Sequence, residues 1–440
     1  MRDLFVIAFI LGGTLWALRQ PWIGVILWTN FSLMSPHVEF GWATSTWPVG
    51  TLVAVATLLG LLATKVRQNP FLGAPVWALL AFTIWICITL PFSFYLEDSL
   101  QLWERSMKIF LMIFVTLSLI DDRKKLDVFV WAIVISIGFY GVKGGLFTLA
   151  TAGNYRVWGP GGFIGGNNEL ALALVATIPL MRYLQMQMVR RWMVLAMGVA
   201  MALTAITVLG TYSRGALLAI AVMAVFLWLK GDQKVLWGVV LVALGIVIVS
   251  FMPEQWWARM ETIQTYEQDD SALGRINAWW MAWNLALHKP FGGGFMIYLP
   301  EVFQMYSPDP GRVHAAHSIY FQVLGEHGFV GLFLFLLVGV LTWTTSNKLI
   351  KAARSDAQHK WAADLGAMVQ VSLIGFAAGG AFLSLAYFDL PYNLMVIGTV
   401  ALHLISRTLM NPTHSIPEPV AHASTPRART VASTNHSSNH

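Results

Sequence analysis

Charge is what this chain has least of. Charged residues make up 11% of its 440 positions, against about 25% in ordinary soluble domains, while hydrophobic residues reach 57% and the mean hydropathy +0.63. That balance excludes a soluble globular fold. The apolar runs also lack period-2 alternation, which excludes a membrane barrel and leaves helices that satisfy their own backbone in lipid. Cysteine is nearly absent: the lone Cys87 lies inside an apolar run, so no intramolecular disulfide can form. A net charge of +6 comes without any basic arm or stripe, which argues against nucleic-acid binding. Met1–Leu18 has one Arg and no small-residue cleavage site, so it does not read as a cleavable signal peptide. The expected fold class is all-α, a polytopic helical bundle of about 12 transmembrane helices.

Apolar segments fall near 3–18 and 21–35, separated by Arg19-Gln20-Pro21 and each short for a full span, so the first 35 residues read as one kinked span or two. Further spans are expected near 47–63, 74–90, 106–120, 127–150, 169–182, 192–210, 215–229 and 235–252, then 329–345, 363–388 and 391–406. Lys and Arg sort onto alternate loops. Lys65/Arg67, Arg123/Lys124/Lys125, Arg182/Arg190/Arg191, Lys230/Lys234 and Lys348/Lys351/Arg354/Lys360 share one side, which the positive-inside rule makes cytoplasmic. The 36–46 loop, the 92–104 segment, the 151–168 loop, the Tyr212-Ser213-Arg214 turn and the long polar stretch 252–328 take the other. The chain thus divides into transmembrane helices over 1–251, a large, partly helical loop outside the cytoplasm over 252–328, transmembrane helices over 329–410 and a disordered cytoplasmic tail over 411–440.

Any chemistry is expected in or beside 252–328. Positive residues are scarce on the outer side, yet Arg156, Arg214, Arg259, Arg275 and Arg312 lie there. A guanidinium offers a planar fork of donors that matches phosphate oxygens and keeps its charge, so a cationic pocket for a diphosphate lipid headgroup is one reading. The other is that these arginines snorkel to lipid or pair with Glu254, Glu261, Glu267, Asp269 and Asp270. Arg214 at a span end, and Arg275 at an apparent helix start whose Gly274 would leave backbone N–H groups for an anion, favour the first. His314 and His317, three apart, would share a helical face; with Asp309 or Glu326 they suggest a metal site, but HxxH without a fixed third ligand is a weak pattern. General-base work suits His317 better, with Glu326 either orienting the imidazole or capping the following helix.

Other features read plainly. The 20 Trp residues suit interfacial belts as well as sugar stacking. Gly161-Gly162-Phe163-Ile164-Gly165-Gly166 is no phosphate loop, since no strand precedes it, and Gly292-Gly293-Gly294 after His288-Lys289-Pro290-Phe291 reads as a tight turn. Asp389 caps the last helix or pairs with an arginine; Lys108 and Lys143, in or near spans, are candidates for function or for snorkelling.

Tyr212-Ser213-Arg214-Gly215, Gly274-Arg275 followed by Trp279, His288-Lys289-Pro290 with its glycines, and His317-Ser318 with Gly328 beyond resemble the O-antigen ligase and O-antigen polymerase superfamily of bacterial envelope proteins. Pro21-Trp22-Ile23-Gly24, Ser35-Pro36-His37 and Thr51-Leu52-Val53-Ala54 are similar to the branch known as exosortase-associated O-glycosylation ligases. The resemblance implies a multi-pass protein of the bacterial inner membrane, its active site facing the periplasm. It also implies a glycosyltransferase that moves a preassembled glycan from undecaprenyl diphosphate to a sugar hydroxyl of lipid A-core. His317 matches the family's catalytic histidine, Arg214 and Arg275 its essential arginines; Arg156, His314, Tyr212 and Arg312 join the expected substrate site from topology and neighbourhood. Arginines would neutralise the diphosphate leaving group, His317 would deprotonate the acceptor as it attacks from the opposite face, and inversion without metal or cofactor follows. A polymerase, a protein O-oligosaccharyltransferase, and a lipid-linked glycan transporter are the rival readings. The transporter would tolerate loss of His317.

Overall fold

A computed structural model describes residues 2–65, 67–230, 245, 250–261, 270–354 and 356–410, and among these every regular element is a helix. The tail 411–440 and most of the expected span 235–252 lie outside the described residues. Among the described residues, seven helices are long and apolar enough to cross a membrane: those within Ala74–Phe92, Arg123–Ala150, Asn167–Met186, Arg191–Gly210, Ile319–Ala353, Ala357–Gly380 and Asp389–Met410. Val49–Ala63 and Arg214–Leu229 are shorter apolar helices. The protein is an all-α, multi-pass membrane protein.

The first 35 residues form two helices, α1 (Arg2–Arg19) and α2 (Pro21–Met34), broken where Pro21 cannot continue the first. They form a hairpin. A Cβ on Gly24 would stand 2.9 Å from the Ala17 Cβ, one on Gly13 2.8 Å from a Leu27 methyl, and the Phe9 and Phe31 rings are 5.8 Å apart, so the pairing runs antiparallel. After a single turn, α3 (Pro36–Glu39), come α4 (Val49–Ala63), α5 (Ala74–Thr89), α6 (Leu96–Leu119) and α7 (Arg123–Ala150). Asp122 caps α7 by accepting from the Lys125 amide at 2.8 Å. Then follow α8 (Asn167–Met186), α9 (Arg191–Gly210) and α10 (Arg214–Lys230). Small residues let these spans close in: a Cβ on Gly141, Gly144 or Gly145 would meet Thr204, Thr207 or the Leu203 carbonyl at 2.3–2.5 Å. Buried hydroxyls such as Thr57, Thr116 and Thr177 bond the carbonyl four residues back, which removes an unmet donor from lipid.

The polar stretch is itself helical over α11 (Glu254–Glu261), α12 (Asp270–His288) and α13 (Pro300–Tyr306). The chain then enters α14 (Ile319–Ala353), whose residues 319–328 precede the expected span start and are set off by a kink at Gly328 (φ 69°, ψ −172°). Carbonyls freed by that kink are met by the glycine run: Gly293 N–H donates to Gly325 and Gly294 N–H to Glu326, both at 3.0 Å. So the expected tight turn is a splice that fastens the end of α12 into the break of α14. The expected span 363–388 ends early: α15 (Lys360–Gly380) stops at two glycines, and 381–388 is a turn-rich loop before α16 (Asp389–Met410).

Loops sorted by charge in the sequence gather at opposite ends. At one end Gln68 bonds the Leu117 and Ile120 carbonyls, Tyr183 bonds Asp127 and Arg123 lies over Trp361. At the other, Glu39 pairs with Lys143, Tyr212 bonds Gly153 and Phe94 N–H bonds Gly293. The site is built at this second end. Lys108 pairs with Glu104 at 2.6 Å, so both lysines noted in the spans have carboxylate partners. Asp389 opens α16 and accepts from Ser32 Oγ at 2.9 Å.

Candidate active site

The turn between α9 and α10 is the site's first wall. Tyr212 holds φ at 59°, a conformation that non-glycine residues adopt at a cost and that tertiary contacts must secure. They do: its hydroxyl donates to the Gly153 carbonyl at 2.6 Å, Asn167 Nδ2 donates to the Thr211 carbonyl at 2.7 Å, and Trp256 Nε1 donates to the Leu209 carbonyl at 3.1 Å. Burial raises the Tyr212 phenol above its usual pKa, with Arg156 opposing the shift. Ser213 Oγ accepts from Ala216 N–H at 3.3 Å and caps α10, so Arg214 projects from the first turn of that helix, where the dipole favours an anion.

Arg156, Arg214, Arg259 and Arg275 converge there. With Asn167, Asn168, Tyr212, Ser213, Gly215 and Phe382 they line one narrow polar cleft. The four arginines come from four separate segments: the loop before α8, the start of α10, α11 and α12. Arg156 also lies 5.5 Å from the Tyr212 ring centre. Concentrated positive charge beside a helix N-terminus makes a site for a doubly charged phosphate group.

Next to the cleft, against Gly274 and Arg275, lies the segment leading into α14; neither His314 nor His317 lines the cleft itself. The expectation that Arg275 opens a helix does not hold: Gly274 and Arg275 lie in the second turn of α12, where Gly274 serves close packing instead of offering a free N–H. A Cβ on Gly274 would stand 3.0 Å from the His314 ring. His314 and His317 are not on a helix either, since α14 begins at Ile319; their rings nonetheless meet, centroids 5.2 Å apart, because the chain turns through φ 43° at His317. Trp279 Nε1 donates to the Ala316 carbonyl at 2.7 Å while its ring stacks on Phe321 at 5.1 Å. Asn277 Nδ2 donates to the Asp309 and Arg312 carbonyls at 2.7 and 2.9 Å. Thus the residues after Gly274-Arg275 clamp the histidine segment to α12.

Burial, then the charges of Arg275 and His314, push the His317 imidazole down to about 4, so it is neutral at neutral pH. Its Nδ1 is buried and forms no hydrogen bond within the described residues. Glu326 neither orients this ring nor caps a helix; it is buried two turns away in α14, where Tyr387 donates to one oxygen and Gln322 to the other. Among the described residues, no three His, Cys, Asp or Glu side chains form a group suited to a metal ion. Arg312 is not part of the cleft lining and faces Asp270 at 3.5 Å and Asp309 at 3.8 Å. Sequence reasoning missed Asn167, Asn168 and Phe382. The asparagines sat in view at the end of a glycine-rich loop, whereas nothing marked Phe382, which reaches Gly215 from across the bundle.

Residues 199–336, which carry the α9–α10 turn, α11, α12, the glycine splice and the histidine segment, match the family described as O-antigen ligase. Residues 1–189 match a family of unknown function. No curated protein matches the chain. Over residues 199–336 the chain is therefore similar to the O-antigen ligase and polymerase superfamily, whose members are glycosyltransferase-like enzymes acting on lipid-linked glycans.

Proposed function

We propose that this protein is an O-antigen ligase of a bacterial inner membrane, with 252–328 facing the periplasm. It transfers a preassembled glycan from undecaprenyl diphosphate to a sugar hydroxyl of lipid A-core. The observation that carries this reading is the convergence of Arg156, Arg214, Arg259 and Arg275 on one cleft, with His317 near enough to Arg275 to feel its charge. The arginines hold the diphosphate and neutralise the charge that grows as the anomeric C–O bond breaks. His317, kept neutral, accepts the proton of the acceptor hydroxyl as its oxygen bonds to the anomeric carbon. Since Nδ1 is buried, we assign that proton to Nε2. A bound diphosphate offsets the Arg275 charge and raises the imidazole pKa towards the working pH, so donor binding itself makes the base stronger.

The test is a reconstitution of purified protein, lipid-diphosphate-linked glycan and rough lipopolysaccharide, read on a gel. Glycan on lipid A-core is the expected product. Longer glycan still on its carrier lipid would replace this reading with a polymerase, and glycan movement that survives His317→Ala would replace it with transport.

A further inference from the structure

Helix α12 (Asp270–His288) has an apolar side that the described residues leave exposed over its C-terminal half. Leu273, Ile276, Trp280, Trp283 and Leu287 fall within an arc of about 80° at 3.6 residues per turn. The last three are 53%, 40% and 57% exposed, while on the other side Ala278, Met281 and Leu285 are buried in a small core with Ile297, Val302 and Phe303, and Ala282 is buried too. Trp and Leu at such exposure, in a stretch read from sequence as a water-facing loop, need a partner.

The same side is continuous with a surface that already faces lipid. Trp279 stacks on Phe321, Ala282 packs against Gly325, and Trp283 meets Phe329 edge-on at 5.2 Å, so α12 runs parallel to the first turns of α14. From Phe329 the exposed side of α14 continues through Val330, Phe333, Leu336 and Val340. Helix α14 has 35 residues, about 52 Å at 1.5 Å each, which exceeds a hydrocarbon core of about 30 Å. Lys348, Lys351 and Arg354 mark its far end, so residues 329–347, about 28 Å, fill the core, and 319–328 stand above it. The core boundary therefore lies at Phe329, beside Trp283. Tryptophan concentrates at that depth.

We propose that α12 is an interfacial anchor: the Trp280, Trp283 and Leu287 side of its C-terminal half is seated in the lipid leaflet on the cleft's side of the membrane, and this seating sets the height of Arg275 and His317 over the bilayer. Arg275 lies eight residues, about 12 Å along the axis, from Trp283. A rigid helix carries the depth of one to the other.

The test uses the full chain in lipid nanodiscs with Cys87 replaced by Ala and a single nitroxide at 273, 280, 283 or 287, and at 311 in the exposed turn. Collision rates with oxygen and with a water-soluble nickel chelate report depth. Oxygen dominance at 283 and 287, weakening towards 273, with chelate dominance at 311, is the expected result. Chelate access at 283 and 287 equal to that at 311 would overturn it, as would protection from both reagents, which would mean a second copy or another protein covers the face. Leu287 is the most exposed of these positions, so its label keeps the test decisive where a tryptophan variant fails to fold. No glycan transfer enters the readout, so this inference and the proposed activity fail separately.

Discussion

Trp279→Phe isolates the clamp on the histidine segment. The change keeps an aromatic ring to stack on Phe321 and deletes the Nε1 donor that meets the Ala316 carbonyl at 2.7 Å. Ala316 is fully buried, so its carbonyl is left without that partner in a dry position. Such a loss costs about 1–3 kcal/mol. That energy falls on the segment holding His317 in its left-handed conformation, which is already a strained arrangement. With about 1.4 kcal/mol per tenfold change, the productive position becomes about 5- to 150-fold less favoured relative to its alternatives, and a kcat loss near tenfold is expected. The arginines of the cleft keep their own supports, so KM for the lipid-linked donor should move less than threefold. Single-turnover transfer in nanodiscs, with donor varied, separates the two terms. A variant with unchanged kcat, or one whose loss lies wholly in KM, would refute the view that Trp279 acts by placing His317.

Further consequences follow from the same geometry. Because burial and Arg275 lower the His317 imidazole to about 4, the acid limb of kcat/KM should fall near that pH, while donor binding moves the limb of kcat upward; a single limb at the ordinary histidine value in both profiles would contradict the proposed coupling. Arg275→Lys keeps a charge and loses the planar fork, so transfer should drop at least tenfold, whereas Arg312→Ala, whose side chain faces Asp270 and Asp309 at the surface, should stay within threefold in the same assay. Chelation should leave turnover intact; loss of transfer in chelator that returns on adding a divalent ion would assign the leaving-group charge to a metal instead. Gly328→Ala would bring a Cβ within 2.0 Å of the Pro290 carbonyl at φ 69°, so the thermal midpoint in detergent should fall measurably, and an unchanged midpoint would show that the splice into the kink is dispensable.

Much of this protein is legible from residue order alone. Long apolar runs in a chain with few charges dictate helices, because only a helix satisfies its backbone locally in lipid, and alternation of Lys and Arg divides the loops into the two groups that the bundle brings to its two ends. Helix ends set by proline or by a capping Asp or Ser were equally local. What the residue order left open were relations between distant segments. Gly274 looked like a helix opening and is a packing gap for His314; Glu326 looked like a partner of His317 and belongs to Tyr387; Arg312 was expected at the substrate site and does not line the cleft, whereas Arg259 does. Each of those outcomes depends on which loop meets which across the bundle, a matter of side-chain fit among segments up to hundreds of residues apart. Charge and hydropathy act through the membrane normal, a single dimension that a sequence can encode by alternation. The cleft is decided in the other two dimensions, by helix packing, and only the tertiary structure holds that information.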